Sequence, residues 1–200
     1  IDAVHYAAHE PIDVRAIDAD VLLCSPYKFC GPHLGIAYGR ASLLESLRPY
    51  KARPAPVSPL GRRFETGTLP YELLAGFNAT IDYLDGIGGM DEIVPYERSL
   101  GERFLATLPE SVTVYGLPTL EGRVPTFLIN VDGVAADQLA VTLAERGIGV
   151  WAHDSWYSLN LYKRLGYDAN AIRVGFIHYN TVDEVDRFVS ELTSAGAAAG

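Results

Sequence analysis

Cysteine is scarce: two residues, Cys24 and Cys30, in a chain of 200. They make no disulfide framework, and they point to a reduced, cytoplasmic setting. No CxxC pair or Cys/His cluster with zinc spacing occurs, so no metal site is expected. Long apolar runs are missing too. None reaches the ~18 residues of a membrane span, and no charged-then-apolar segment opens the chain. Basic residues are outnumbered, with 16 Lys and Arg against 25 Asp and Glu and a formal net charge of −9. That balance argues against a nucleic-acid partner, because phosphate binding needs a basic face. No internal repeat is visible.

What is present is ordinary for a globular protein, 48% hydrophobic and 20% charged, and long enough for one or two domains with real cores. Ile1-Asp2-Ala3-Val4 reads as the tail of a strand with no element before it, so further chain is expected upstream. Asp20 to Cys24 has the pattern of a buried strand in a parallel sheet. Ser25 to Pro32 is a loop rich in turn residues, and Leu34 to Tyr38 resumes as a strand. Ala41 to Leu47 is a short helix at most, and the prolines between 49 and 62 predict an irregular loop. Pro70 opens a helix whose face is Leu73, Leu74, Phe77, Ile81 and Leu84, ended by Gly86, Gly88 and Gly89.

A domain boundary is expected there, dividing residues 1–85 from 86–200. The second part predicts a helix from about Asp91 to Leu108 and strands at Val112–Tyr115, Thr126–Val131, Ile148–Trp151 and Ile172–Ile177. A helix over Ala136, Leu139, Ala140 and Leu143 lies among them. Thr181-Val182-Asp183-Glu184 is a capping box opening a last helix on Val185, Phe188, Val189 and Leu192. This order suggests a small α+β domain with its helices on one face. The alanine- and glycine-rich tail from Ser194 is expected to fray.

Three residues invite chemistry. Lys28 sits in a short loop after a strand, flanked by Tyr27, Phe29 and Cys30. Apolar enclosure lowers an amine's pKa and makes it nucleophilic, as a Schiff-base lysine requires. Ser25 stands at the strand's C-terminal end, where ligands of open parallel sheets bind, and its hydroxyl can donate to a phosphate. Asp2, also at a strand end, can pair with a protonated pyridine nitrogen. On these residues alone, a surface lysine, a turn serine and a capping aspartate remain open readings.

Four blocks occur in order: Asp2-Ala3-Val4-His5, Ser25-Pro26-Tyr27-Lys28, Phe64-Glu65-Thr66-Gly67-Thr68, and Arg173 through Thr181 with the sequence RVGFIHYNT. Together they resemble the class V aminotransferase family of fold-type I pyridoxal-phosphate enzymes, in its cysteine-desulfurase-like branch. The resemblance covers only the C-terminal half of the family's usual length. It implies an α/β fold: the C-terminal part of the cofactor-binding large domain, with a mostly parallel sheet, followed by a small α+β domain.

It also implies roles. Lys28 matches the lysine that holds pyridoxal 5′-phosphate as a Schiff base, and Asp2 the aspartate on its pyridine nitrogen. His5 falls near the cofactor's phenolic oxygen. Ser25 matches the serine on the phosphate, with Tyr27 in place of a histidine that often shares that task. Gly67 and Thr68 resemble the pair that reaches the phosphate of a neighbouring subunit, which implies a homodimer. Arg173 matches the arginine that grips the substrate's α-carboxylate, a task suited to a guanidinium fork.

One departure matters. Desulfurases of this family carry a cysteine in the loop after the strand matching Ile148–Trp151; here that loop, Ala152 to Tyr157, has none. His153, Asp154 and Ser155 are adjacent and cannot face one another as a hydrolase triad. The reading is a pyridoxal-phosphate enzyme acting on an amino acid by transamination or β-elimination. The alternatives are a cysteine desulfurase using another thiol, such as Cys30, and a non-catalytic dimerisation or binding protein.

Overall fold

The computed structural model describes residues 1–152, 157–165 and 170–199. The chain parts into two compact units, Ile1–Glu92 and Ile93–Gly200.

In the first unit a 3-10 turn at Tyr6–Ala8 precedes strand β1 (Val21–Cys24). A second 3-10 turn at Pro26–Lys28 leads to β2 (Ile36–Gly39), then helix α1 (Ala41–Ser46) and helix α2 (Tyr71–Gly86). β1 and β2 pair antiparallel, Val21 opposite Gly39 through Cys24 opposite Ile36. A single parallel bridge joins Asp2 to Leu23. The parallel pairing expected of Asp20–Cys24 is thus confined to Asp2. The reason is connection length: the loop from Ser25 to Gly35 is too short for the crossover that parallel neighbours need. Full burial is not seen either. Leu22 faces a small core with Ala3 and Ala19, flanked by Ile12, Val14 and Tyr38, while Val21 and Leu23 on the other face stay 38% and 47% exposed.

Residues 49 to 62 are irregular apart from a 3-10 turn at Leu60–Arg62, as their prolines require. The Lys51 ammonium stitches this segment by donating to the carbonyls of Pro56, Arg62 and Glu65 at 2.5, 3.0 and 3.2 Å. Of the face expected to bury α2, Leu73, Leu74, Phe77 and Leu84 are half-buried, and Ile81 is exposed. Helix α3 (Gly89–Thr107) follows, its opening turn allowed by Gly88 and Gly89 at φ of +105° and +67°.

The second unit is built on a three-stranded antiparallel sheet, β3 (Val112–Tyr115), β4 (Thr126–Val131) and β5 (Ile172–Gly175), in that spatial order. Helices α4 (Ala136–Glu145) and α6 (Val182–Ala199) join α3 in covering one face. Period-2 alternation on β4 sends Phe127 and Ile129 into that core and leaves Leu128 half-buried on the opposite face. The core is aromatic at its centre: the Phe104 ring lies 4.8 Å from Phe127, 5.2 Å from Phe176 and 5.9 Å from Phe188. The capping box forms, with Glu184 N–H donating to the Thr181 hydroxyl and Thr181 N–H to the Glu184 carboxylate.

Two expectations fail here. Ile148–Trp151 is no strand; only Trp151 bridges to β5, opposite Arg173. Gly147 and Gly149 weaken the run, and Gly147 to Val150 parts from Val174 and Gly175 around a cavity of about 190 Å³. A short helix unexpected from sequence, α5 (Leu159–Leu165), follows. The tail does not fray at Ser194: α6 continues to Ala199, because Ala195 packs on the core and Gly196 lies close against Ser111. His153, Asp154 and Ser155 lie outside the described residues.

Candidate functional site

The densest local geometry in the first unit is the turn that carries Lys28. β1 ends at Cys24, and Ser25, still extended at φ −138° and ψ 115°, caps the 3-10 turn Pro26–Lys28. Lys28 N–H donates to the Ser25 carbonyl at 3.0 Å, and the N–H groups of Phe29 and Gly31 converge on the Pro26 carbonyl at 2.9 and 2.8 Å. Closing so tight a turn puts Cys30 at φ +67°, a left-handed value unusual outside glycine. The next residue has to be glycine. A Cβ on Gly31 would stand 2.6 Å from the Pro26 Cβ, 2.9 Å from its carbonyl oxygen and 2.9 Å from the Thr80 hydroxyl.

Helix α2 backs the turn. Phe29 is buried edge-on against Phe77 at 6.4 Å, and buried Thr80 returns its hydroxyl to the Gly76 carbonyl at 3.0 Å. The backbone around Lys28 is therefore fixed, while its side chain points outward.

That outward direction corrects one expectation. Lys28 is exposed, and so are Tyr27 and Cys30 beside it; only Phe29 turns inward. The shelter from water expected of its sequence neighbours is not supplied by them. The Lys28 ammonium instead lies 4.9 Å from the centroid of the Tyr27 ring, whose other contact is a stack on His33 at 4.9 Å. Of the chain's other lysines, Lys51 is engaged by its three carbonyls and Lys163 lies in the last turn of α5.

Asp2 is also exposed, and its carboxylate accepts the Val4 N–H at 2.9 Å. Its bridge to Leu23 puts both residues on one face of β1, and the alternation that carries Leu23 carries Ser25 to that face as well. The structure thus brings Asp2 and Ser25 to one strand face with Lys28 in the turn that follows. His5 lies at the start of the Tyr6–Ala8 turn, its ring 4.9 Å from that of His9. Gly67 and Thr68 are exposed just ahead of α2, in the segment that Lys51 and Arg63 tie down. Arg173 belongs to the second unit, exposed in the middle of β5.

The two thiols differ in environment. Burial pushes the half-buried Cys24 thiol up from its ordinary value. Cys30 is exposed but sits two residues beyond Lys28 in the strained position of the turn.

A model of the aminotransferase class-V family matches residues 1–188. The chain belongs to the class V aminotransferase family. A cysteine desulfurase of Haloferax volcanii is 32% identical over 98% of this chain and 48% of its own length. The apo structure of a cysteine desulfurase from Thermococcus onnurineus superimposes with a TM-score of 0.86 at 28% identity, over 99% of this chain and 51% of that one. The Escherichia coli cysteine desulfurase CsdA gives 0.82 at 26% identity, over 100% and 51%. The chain therefore has the fold-type I architecture of these enzymes, and it spans about half the length of the curated relatives it matches. The cofactor of this family is pyridoxal 5′-phosphate.

Sequence reasoning passed over two kinds of residue. Gly31 and Thr80 fix the lysine turn, and only contact geometry reveals them. Trp151, directly opposite Arg173, was legible in principle, since both residues fall in stretches that read as strands.

Proposed function

We propose that this chain is the lysine-bearing half of a pyridoxal-phosphate enzyme that acts on an amino acid by transamination or β-elimination. The observation that carries it is the pinned turn at the end of β1, which presents Lys28 beyond Ser25, with Asp2 on the same strand face. A carboxylate and a hydroxyl on one strand face, with a primary amine in the turn that follows, are the donor set that a pyridine nitrogen, a phosphate and an aldehyde need. The cofactor, when bound, supplies a ring that withdraws electrons from the substrate's α-carbon.

The protein's own groups do the rest. Asp2 holds the pyridine N–H. Ser25 and Tyr27 donate hydroxyls to the phosphate, and Gly67 and Thr68 serve the phosphate of a second subunit in a homodimer. His5 would face the phenolic oxygen. Arg173 takes the α-carboxylate with its guanidinium fork. Lys28 would hold the cofactor and, once freed, would be the base that moves the α-proton. The large-domain and small-domain division near residue 85 and a cytoplasmic setting complete this reading.

The second reading is a cysteine desulfurase with a thiol in an unusual place, favoured by the names of the relatives and by the exposure of Cys30. Incubating the intact, cofactor-loaded protein with an amino-acid panel separates the two. Keto acid formed with transfer of the amino group, or pyruvate with ammonia, supports the first. Persulfide on the protein that disappears in Cys30→Ser supports the second and sinks the first.

A further inference from the structure

Direct cross-strand neighbours in an antiparallel sheet project to the same face, their Cβ atoms about 4.5–5.5 Å apart. In the second unit Tyr115 stands opposite Leu128, Leu128 opposite Arg173, and Arg173 opposite Trp151. The last pair is closed by two hydrogen bonds, Arg173 N–H to the Trp151 carbonyl at 2.7 Å and Trp151 N–H to the Arg173 carbonyl at 3.2 Å. These four side chains form one row across the sheet. Their neighbours along the strands, Phe127, Ile129 and Ile172, are fully buried under the helices. The row is on the opposite, open face: Tyr115 and Leu128 are half-buried, Arg173 is exposed, and Trp151 is 43% exposed.

Trp151 and Arg173 are thus direct cross-strand neighbours on one face of the sheet. Trp151 is further flanked by Tyr157, ring centroids 6.5 Å apart. The geometry fits a ligand whose acidic end meets Arg173 and whose body covers the indole. Adjacent strands are about 4.8 Å apart. An amino acid held by its carboxylate on Arg173 reaches Trp151 only with a side chain of about that length, so a methyl or thiol group falls short. A cationic side chain would be repelled by Arg173, and an acidic one would compete for it. An aromatic side chain has neither fault and gains an aromatic pair.

We propose that Trp151 is a specificity-determining residue: with Tyr157 it makes an aromatic wall beside Arg173 that selects amino acids with an aromatic side chain over small ones. This rests on Arg173 being the carboxylate anchor, and the test separates the two claims. Dissociation constants for L-phenylalanine and L-alanine are measured on the intact, cofactor-loaded protein by the change in cofactor absorption. Tryptophan fluorescence is read in parallel.

Trp151→Ala should weaken L-phenylalanine roughly tenfold, the scale on which an apolar contact discriminates, and L-alanine less than about twofold. Trp151→Phe should keep most of the preference yet lose the ligand-induced fluorescence change. Arg173→Lys should weaken both ligands. If Trp151→Ala weakens both alike, or neither, while Arg173→Lys weakens both, the wall is refuted and the anchor stands. If Arg173→Lys changes neither, the anchor reading fails and the wall falls with it.

Discussion

The two units are held together in different ways. The second buries a continuous core of phenylalanine, leucine, isoleucine and valine from the sheet and three helices, with Leu100, Phe104, Phe127, Ile129, Ile172, Val185 and Leu192 fully excluded from water. In the first unit the comparable cluster is Ala3, Ala19 and Leu22, and large apolar side chains such as Val21, Leu23 and Tyr27 are open to solvent. Its tightest packing is instead local, at the turn from Ser25 to Gly31 against α2. The second unit is packed around a continuous core, while the first packs most tightly at the turn that displays Lys28.

The largest expected effect that probes this contrast is Phe104→Ala. It removes the ring at the centre of the aromatic core and should cost about 3–5 kcal/mol in urea unfolding of the second unit. A loss below about 1 kcal/mol would mean that this core is not the principal support. Next comes Gly31→Ala. The added methyl meets backbone and a buried side chain, so a cost of roughly 1–3 kcal/mol is expected, confined to the first unit. Equilibrium dialysis of cofactor against the intact variant should show weakened retention, with unfolding of the second unit unchanged. Normal retention would show that the turn tolerates displacement and would weaken its role in placing Lys28.

Smaller effects lie at α6. Thr181→Ala removes the hydroxyl that caps Glu184 N–H and should cost about 1 kcal/mol, read as a lower urea midpoint. Acid should act in the same place. Hydrogen bonds from the Thr181 N–H and the Asn180 amide hold the Glu184 carboxyl below the ordinary carboxylate range, and the Arg103 guanidinium does the same for Asp186. A carboxyl with a depressed folded pKa contributes stability above its unfolded value and loses it as pH falls through the folded one. The midpoint of the second unit should therefore drop modestly below about pH 4. Asp186→Asn should flatten part of that drop, and an unchanged slope would remove the Arg103 pair as a contributor.

Much of the second unit was legible in the sequence, because its signals are periodic and local. The strands at Val112–Tyr115 and Thr126–Val131 fall where alternation put them, and the last helix begins at its capping box. What escaped were properties set by partners distant in sequence. Ile148–Trp151 has the composition of a strand but pairs only at Trp151. Asp20–Cys24 has the apolar content of a doubly covered strand, yet only Leu22 finds a core. The same limit applies at the candidate site. The strand-end turn around Lys28 could be read from the order of its residues, but the side chain's exposure depends on what packs over it, and Tyr27 and Cys30 do not.

Lys28 as the residue that bonds the cofactor is the claim on which the functional account stands, and chemical trapping tests it most directly. The intact protein is loaded with pyridoxal 5′-phosphate, reduced with borohydride, digested and mapped by mass spectrometry. The account predicts a pyridoxyl group on Lys28 and none in Lys28→Ala. Label on Lys51 or Lys163 in place of Lys28, or equal labelling of the protein with and without Lys28, would contradict it.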